Sequence, residues 1–125
     1  MFPDDRRYTV EHEWVRADGG EGTMGITSFA QGELGDIVFV ELPPVGRQVQ
    51  RGDVLGTVES VKAVSEIYAP VAGVVSAVNA LLADQPELLN TDPHGAGWYC
   101  KLRLSDPSEV TGLLDAAAYQ THVGK

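Results

Sequence analysis

Apolar and polar positions alternate most cleanly in WYCKLRL, where Trp98, Cys100, Leu102 and Leu104 fall on one face and Tyr99, Lys101 and Arg103 on the other. That is the period of a half-buried strand. YTVEHEWVR, residues 8–16, reads the same way, with Val10, His12 and Trp14 on one side and Glu11, Glu13 and Val15 on the other. DIVFVEL is rich in β-branched residues and is stopped by Pro43 and Pro44. Gly46, Gly52 and Gly56 punctuate VGRQVQRGDVLGTVESV, while Pro70 and Gly73 interrupt VSEIYAPVAGVVSAVNALL, so both stretches break into short strands with no helical period.

Helix signals occur in two places. In SFAQGELG, Ser28 is placed as N-cap with Gln31 three residues on and Gly35 at the close, predicting a short helix near 28–34. In SDPSEVTGLLDAAAYQTHV, Asp106 reads as N-cap, Pro107 as the first helical residue and Glu109 as the reciprocal cap. Gly112 interrupts this helix and a second turn starts from Asp115, giving a C-terminal helical segment near 107–121. ADQPELLNTDPHGAG is turn-rich and reads as a loop. A faint echo links VGRQVQRGDVLGTVESV to VAGVVSAVNALLADQPELL, with Lys62 between the copies. Two similar β-halves joined by a hairpin would put Lys62 at its tip.

The size of the chain, 125 residues with 43% hydrophobic, suits one domain over 1–125 that buries roughly two-thirds of its unfolded surface. A net charge of −9 without a basic patch disfavours nucleic acid and anionic membranes. No apolar run approaches the roughly 18 residues of a spanning helix, and MFPDDRRYTV lacks the h-region of a signal peptide. Cys100, the single cysteine, cannot close an intrachain disulfide, which fits a reducing compartment, and its inward strand position marks it as core. A soluble, cytoplasmic monomer is expected.

Several chemistries find no support. His12, His94 and His122 are far apart and lack neighbours at ligand spacing, so no metal site is expected. The glycines at 19, 20, 22 and 25 suit a turn and strand entry, and no phosphate-cradling GxxxxGK[ST] occurs. Ser60 and Ser65 flank Lys62, but side chains on one sheet face meet this way by chance, so a nucleophilic pair is remote. No catalytic residue is expected. Of the lysines, Lys101 is explained by its outward strand position and Lys125 by the terminus. Lys62, among slim neighbours in ESVKAVSEIYAP, is left over. Composition alone reads it as a solvated charge.

The segments GDIVFVELP, ESVKAVSEIYAPVAG and GWYCKLRLSDPSE, with YTVEHEWVR and GIT..AQ..LG at the head, resemble the H protein of the glycine cleavage system. The match runs in order from Tyr8 to the C-terminal helix. The resemblance implies a mainly β, lipoyl-domain-like flattened barrel or sandwich of two antiparallel sheets. It implies that Lys62 is amide-linked to lipoate, and that the protein is a non-catalytic carrier. The implied partners are a pyridoxal-phosphate glycine decarboxylase that loads an aminomethyl group on the arm, a tetrahydrofolate-dependent aminomethyltransferase, a dihydrolipoyl dehydrogenase that restores the disulfide, and a lipoylating enzyme. It further implies that the loaded arm folds back toward HEW and the turn after the lysine, placing Glu13 and Glu66 nearest its cationic end. The family sometimes has histidine where this chain has Glu33, and no role is assigned there.

Two alternatives compete. Lipoyl domains of 2-oxo acid dehydrogenases and biotin carriers typically carry DKA or MKM at the turn and Ala/Pro-rich linkers; here the turn reads VKA and no linker occurs. A lipoyl relay that donates lipoate to other enzymes would share the whole motif set and is not separated by the sequence.

Overall fold

A computed structural model describes residues 2–124, so Lys125 lies outside the described residues. The β-rich pieces form nine strands among the described residues: β1 (Arg7–Tyr8), β2 (Glu13–Asp18), β3 (Glu21–Ile26), β4 (Ile37–Val40), β5 (Gln48–Val49), β6 (Val54–Ser60), β7 (Val64–Tyr68), β8 (Gly73–Val78) and β9 (Cys100–Leu104). They assemble into a six-stranded sheet, β1-β2-β3-β9-β8-β5, and a three-stranded sheet, β4-β6-β7, antiparallel throughout. Neither sheet closes on itself, so of the two expected forms the sandwich is the one present.

One apolar cluster fills the space between the sheets. Val15, Met24, Val75, Cys100 and Leu102 enter it from the larger sheet and Ile37, Val58 and Ile67 from the smaller. Leu102 and Cys100 are fully buried as their alternation predicts, and burial pushes the Cys100 thiol up to about 12, so it packs as an inert core group. Tyr99 breaks the alternation: it is fully buried just ahead of β9, and its hydroxyl donates to the carbonyl of Glu41. Gly56 on β6 lies under this contact, with no room for a Cβ between the Tyr99 hydroxyl and the Glu41 carbonyl.

The expected strand over residues 8–16 is in fact a hairpin. β1 ends at Tyr8, His12 turns the chain at φ 75°, and β2 starts at Glu13. Its two faces are therefore not the alternating ones: Val10 at the turn is 51% exposed, whereas Glu13, Trp14 and Val15 in sequence are all buried. His12 belongs to this turn and not to a strand.

Helix α1 (Ser28–Leu34) falls where predicted, but its cap is Thr27, whose side chain accepts from the Ala30 N–H; Gly35 closes it. The expected loop after β8 contains two single helical turns, α2 (Leu81–Asp84) and α3 (Leu88–Thr91), which bury Leu82 and Leu89. The C-terminal segment is split as expected. Helix α4 (Ser108–Thr111) ends at Gly112, and α5 (Ala116–Val123) is capped by Asp115, which accepts from Ala118 N–H at 2.8 Å. Asp106 accepts from Ser108 N–H at 3.1 Å, while Glu109, instead of completing a capping box, accepts from Ala72 N–H at 3.0 Å and ties α4 to the β7–β8 connection. No helix among the described residues is long and apolar enough to cross a membrane.

Candidate functional site

β6 and β7 pair antiparallel up to Glu59 and Val64, leaving residues 60–63 to turn the chain. Ser60 builds that turn. Its N–H donates to the Ala63 carbonyl at 2.8 Å, and its buried hydroxyl oxygen accepts from Lys62 N–H at 3.3 Å and from Ala63 N–H at 3.1 Å. A short hydroxyl side chain can satisfy turn amides that would otherwise point into empty space. The sequence reading passed over Ser60 except as a remote nucleophile. Its local signal is a serine two residues before the turn's tip.

A second brace comes from outside the hairpin. Val61 N–H donates to the Asp36 carbonyl at 3.0 Å, docking the tip on the segment that joins α1 to β4. Lys62 itself is exposed, forms no ion pair among the described residues, and rests its stem near Gly35, with Cε 3.6 Å from where a Cβ there would stand. Its ammonium is therefore free while the backbone beneath it is fixed. Val61 and Val64 beside it in the chain, and Val38 and Phe39 on β4, which pairs with β6, are exposed apolar side chains on an acidic protein. Phe39 is in register with Glu59, and Glu59 with Val64, so one row across the small sheet sets a carboxylate between two apolar side chains.

Toward the far end of β7 the structure brings the two carboxylates named in the sequence onto one residue. Tyr68 donates its N–H to Glu13 Oε2 at 3.3 Å and its hydroxyl to Glu66 Oε1 at 3.0 Å. Glu66 is exposed. Glu13 is 2% exposed, and Thr9 donates its hydroxyl to Glu13 Oε1 at 2.7 Å. Burial pushes the Glu13 carboxyl up to about 7 against the opposing pull of these hydrogen bonds. An ordinary surface acid is thus excluded for Glu13, though not for Glu66. Beside them opens a cleft of about 440 Å³ whose walls include Thr9, Glu11, Arg51, Tyr68 and Pro70. From Val64 to Tyr68 the strand runs about 13 Å.

The histidines behave differently from their sequence separation. His12 and His122 approach to 5.8 Å between ring centroids, and His12 Nδ1 is 2.7 Å from the Tyr119 hydroxyl, which also meets Thr27 Oγ1 at 2.8 Å. His94 lies elsewhere, taking the Ser28 N–H on Nε2 at 3.2 Å. No group of three or more potential ligands that could hold a metal occurs among the described residues. Lys101 lies over the Trp98 ring, 5.4 Å from its centroid.

Two facing antiparallel sheets with an unpaired lysine on a braced hairpin define a lipoyl-domain-like β protein. The chain belongs to the glycine cleavage H-protein family, whose profile it matches over residues 6–125. Relatives named glycine cleavage system H protein include that of Acidobacterium capsulatum, 57% identical over 98% of this chain and 94% of its own, and that of Laribacter hongkongensis, 54% identical over 98% of each. The crystal structure of a glycine cleavage system H protein from Mycobacterium marinum superposes with a TM-score of 0.91 at 42% identity, covering 99% of this chain and 100% of that one.

Proposed function

We propose that this chain is the lipoyl carrier of the glycine cleavage system and that Lys62 is the residue it offers for acylation. The observation that carries the reading is an exposed, unpaired Lys62 above a turn locked by Ser60 and Asp36. The residues fit the group: the amine is accessible, its neighbours Val61, Ala63 and Val64 are slim and exposed, and no side chain encloses it.

Lipoate in amide linkage supplies a dithiolane that opens to take up a one-carbon amine and closes again on oxidation. Lys62 contributes the nucleophile. Its neutral ε-amine attacks an activated acyl carbon, the activating group leaves, and the nitrogen gives up a proton to become an uncharged amide. The hairpin would then hold the base of the lengthened side chain. Glu66, exposed and bonded to the Tyr68 hydroxyl, offers a carboxylate to a cationic end group beside the Tyr68 cleft, while buried Glu13 acts through its hold on the Tyr68 N–H.

The protein is a non-catalytic, monomeric, cytoplasmic single-domain carrier. Its successive partners are a glycine decarboxylase, an aminomethyltransferase and a dihydrolipoyl dehydrogenase, after an initial encounter with a lipoylating enzyme. Intact mass measured before and after incubation with a lipoate ligase, lipoate and ATP tests the assignment. One lipoyl addition mapped to the Lys62 peptide, absent from Lys62→Arg, is expected. No addition, or addition at Lys101, rejects it. Glycine–bicarbonate exchange with the decarboxylase then separates the carrier from a lipoyl relay, which would not support it.

A further inference from the structure

The brace beneath Lys62 leads back to a residue 28 positions away in the chain. Asp36, whose carbonyl receives Val61 N–H, is flanked by Gly35 and Ile37, and one side chain holds both. Asn90, on α3, donates from Nδ2 to the Gly35 carbonyl at 2.8 Å and accepts the Ile37 N–H on Oδ1 at 2.9 Å. Its Nδ2 also donates to Gln31 Oε1 at 3.0 Å, in the last turn of α1. Both amide protons and the amide oxygen are thereby engaged, and turning the amide over would set oxygen against the Gly35 carbonyl and NH2 against the Ile37 N–H.

The segment needs such a clamp. Gly35 sits at φ 81°, ψ −155°, a backbone region open essentially to glycine alone, and such conformations persist only where surrounding contacts over-determine them. The ladder at this end is short: Gly35 lies outside it, Ile37 pairs with Ser60 as the first residue of β4, and the register shifts before Phe39. Asn90 thus bonds both neighbours of the residue whose carbonyl receives the tip.

We infer that Asn90 is a positioning residue for the acylation of Lys62, acting through Gly35–Ile37 and the Asp36 carbonyl on the hairpin tip. This rests on the reading of Lys62 as the acylated residue. An acylating active site closes around the tip only when the amine stands within a few tenths of an ångström of its productive place. A tip that is properly set for only a fraction of the time weakens apparent binding by that fraction and leaves turnover at saturation unchanged.

The test is acylation kinetics of the folded protein with a lipoate ligase, together with amide exchange at Val61. Asn90→Ala is expected to raise KM for the carrier about tenfold with kcat unchanged, and to speed Val61 exchange about tenfold, the scale expected for loss of one or two hydrogen bonds. Asn90→Asp keeps the acceptor for Ile37 but sets a carboxylate against the Gly35 carbonyl; it follows the alanine variant and replaces it if that variant does not fold. Asn79→Ala is the control, since Asn79 donates to the Ala96 and Trp98 carbonyls, both at 2.8 Å and away from the tip. It lowers stability and leaves KM at the wild-type value. Unchanged KM or unchanged Val61 exchange in folded Asn90 variants overturns the inference, as does an equal rise in KM for Asn79→Ala. Failure of the wild-type chain to be acylated at Lys62 overturns the functional reading instead.

Discussion

Glu13 on β2 and Tyr68 on β7 meet across the two sheets, the Tyr68 N–H reaching Glu13 Oε2 at 3.3 Å. This pairing hides a carboxylate beside the cleft lined by Thr9, Arg51 and Tyr68, and it makes the protonation of Glu13 part of the folding equilibrium. Burial raises its carboxyl from 4.5 to about 7, so between those values the folded chain binds a proton that the unfolded chain has released. Its contribution is favourable below pH 4.5 and is lost as pH rises through 7, a cost of about 3 kcal/mol on the alkaline side.

His94 works with the opposite sign. Burial first, and then the Arg6 charge, hold its imidazole down at about 4. The unfolded chain therefore takes up a proton between 6.5 and 4 that the folded chain refuses, and stability falls as the pH drops through that window. The two groups offset each other between about pH 4.5 and 6.5. Urea unfolding across pH is expected to show Glu13→Gln gaining on wild type as pH rises from 4.5 to 7.5, and a curve parallel to wild type would sink this account.

Retention of a cationic end group is the second expectation. In isolated protein loaded with methylamine on its arm, Glu66→Gln, which removes the exposed carboxylate at Tyr68, and Glu13→Gln, which alters the support of the Tyr68 backbone, are both expected to speed amine release, the first several-fold. Arg51→Gln, which takes a cation off the same cleft wall, is expected to slow it. Release followed by mass spectrometry checks all three, and decay at the wild-type rate in both glutamate variants rejects the role.

Gly56→Ala tests how the sheets are joined. A Cβ there would overlap both the Tyr99 hydroxyl and the Glu41 carbonyl, and one of those groups is backbone. Overpacking of this kind costs about 1–3 kcal/mol, and displacing Tyr99 would also break its bond to Glu41. Denaturant unfolding should show a loss of about 3 kcal/mol or more, largely recovered by no surface change elsewhere.

Tyr119→Phe tests the hydroxyl shared by His12 and Thr27. The ring stays stacked on Tyr8 with centroids 4.8 Å apart, so packing is kept and only polar contacts go. Loss of about 1–2 kcal/mol is expected, with chemical-shift changes confined to the His12 turn, the Thr27 cap of α1 and α5.

How much of this was readable from the chain follows physical range. The alternation of Cys100, Leu102 and Leu104, the α1 helix and the break at Gly112 are local patterns, and each was legible. The α2 and α3 turns escaped because four residues do not complete an apolar period. The turn at His12 escaped because a positive φ at histidine is supported by the Thr27 N–H, which donates to the His12 carbonyl, and by the Tyr119 hydroxyl, from distant parts of the chain. At the site, Lys62 stood out through its motif. The burial of Glu13, set by Thr9 and Tyr68, and the clamp of Asn90 on Gly35 and Ile37 are encounters between remote segments that no local spacing records.

The backbone bridge between Tyr8 and Leu114, two hydrogen bonds of 2.8 and 3.0 Å, joins strand β1 to the start of the segment that leads into α5. On the ribosome, the β1–β2 hairpin therefore waits with an unsatisfied edge until Leu114 has emerged from the exit tunnel. Nascent chains arrested before residue 114 should remain open to proteolysis near Tyr8, and those extended far enough to expose α5 should close.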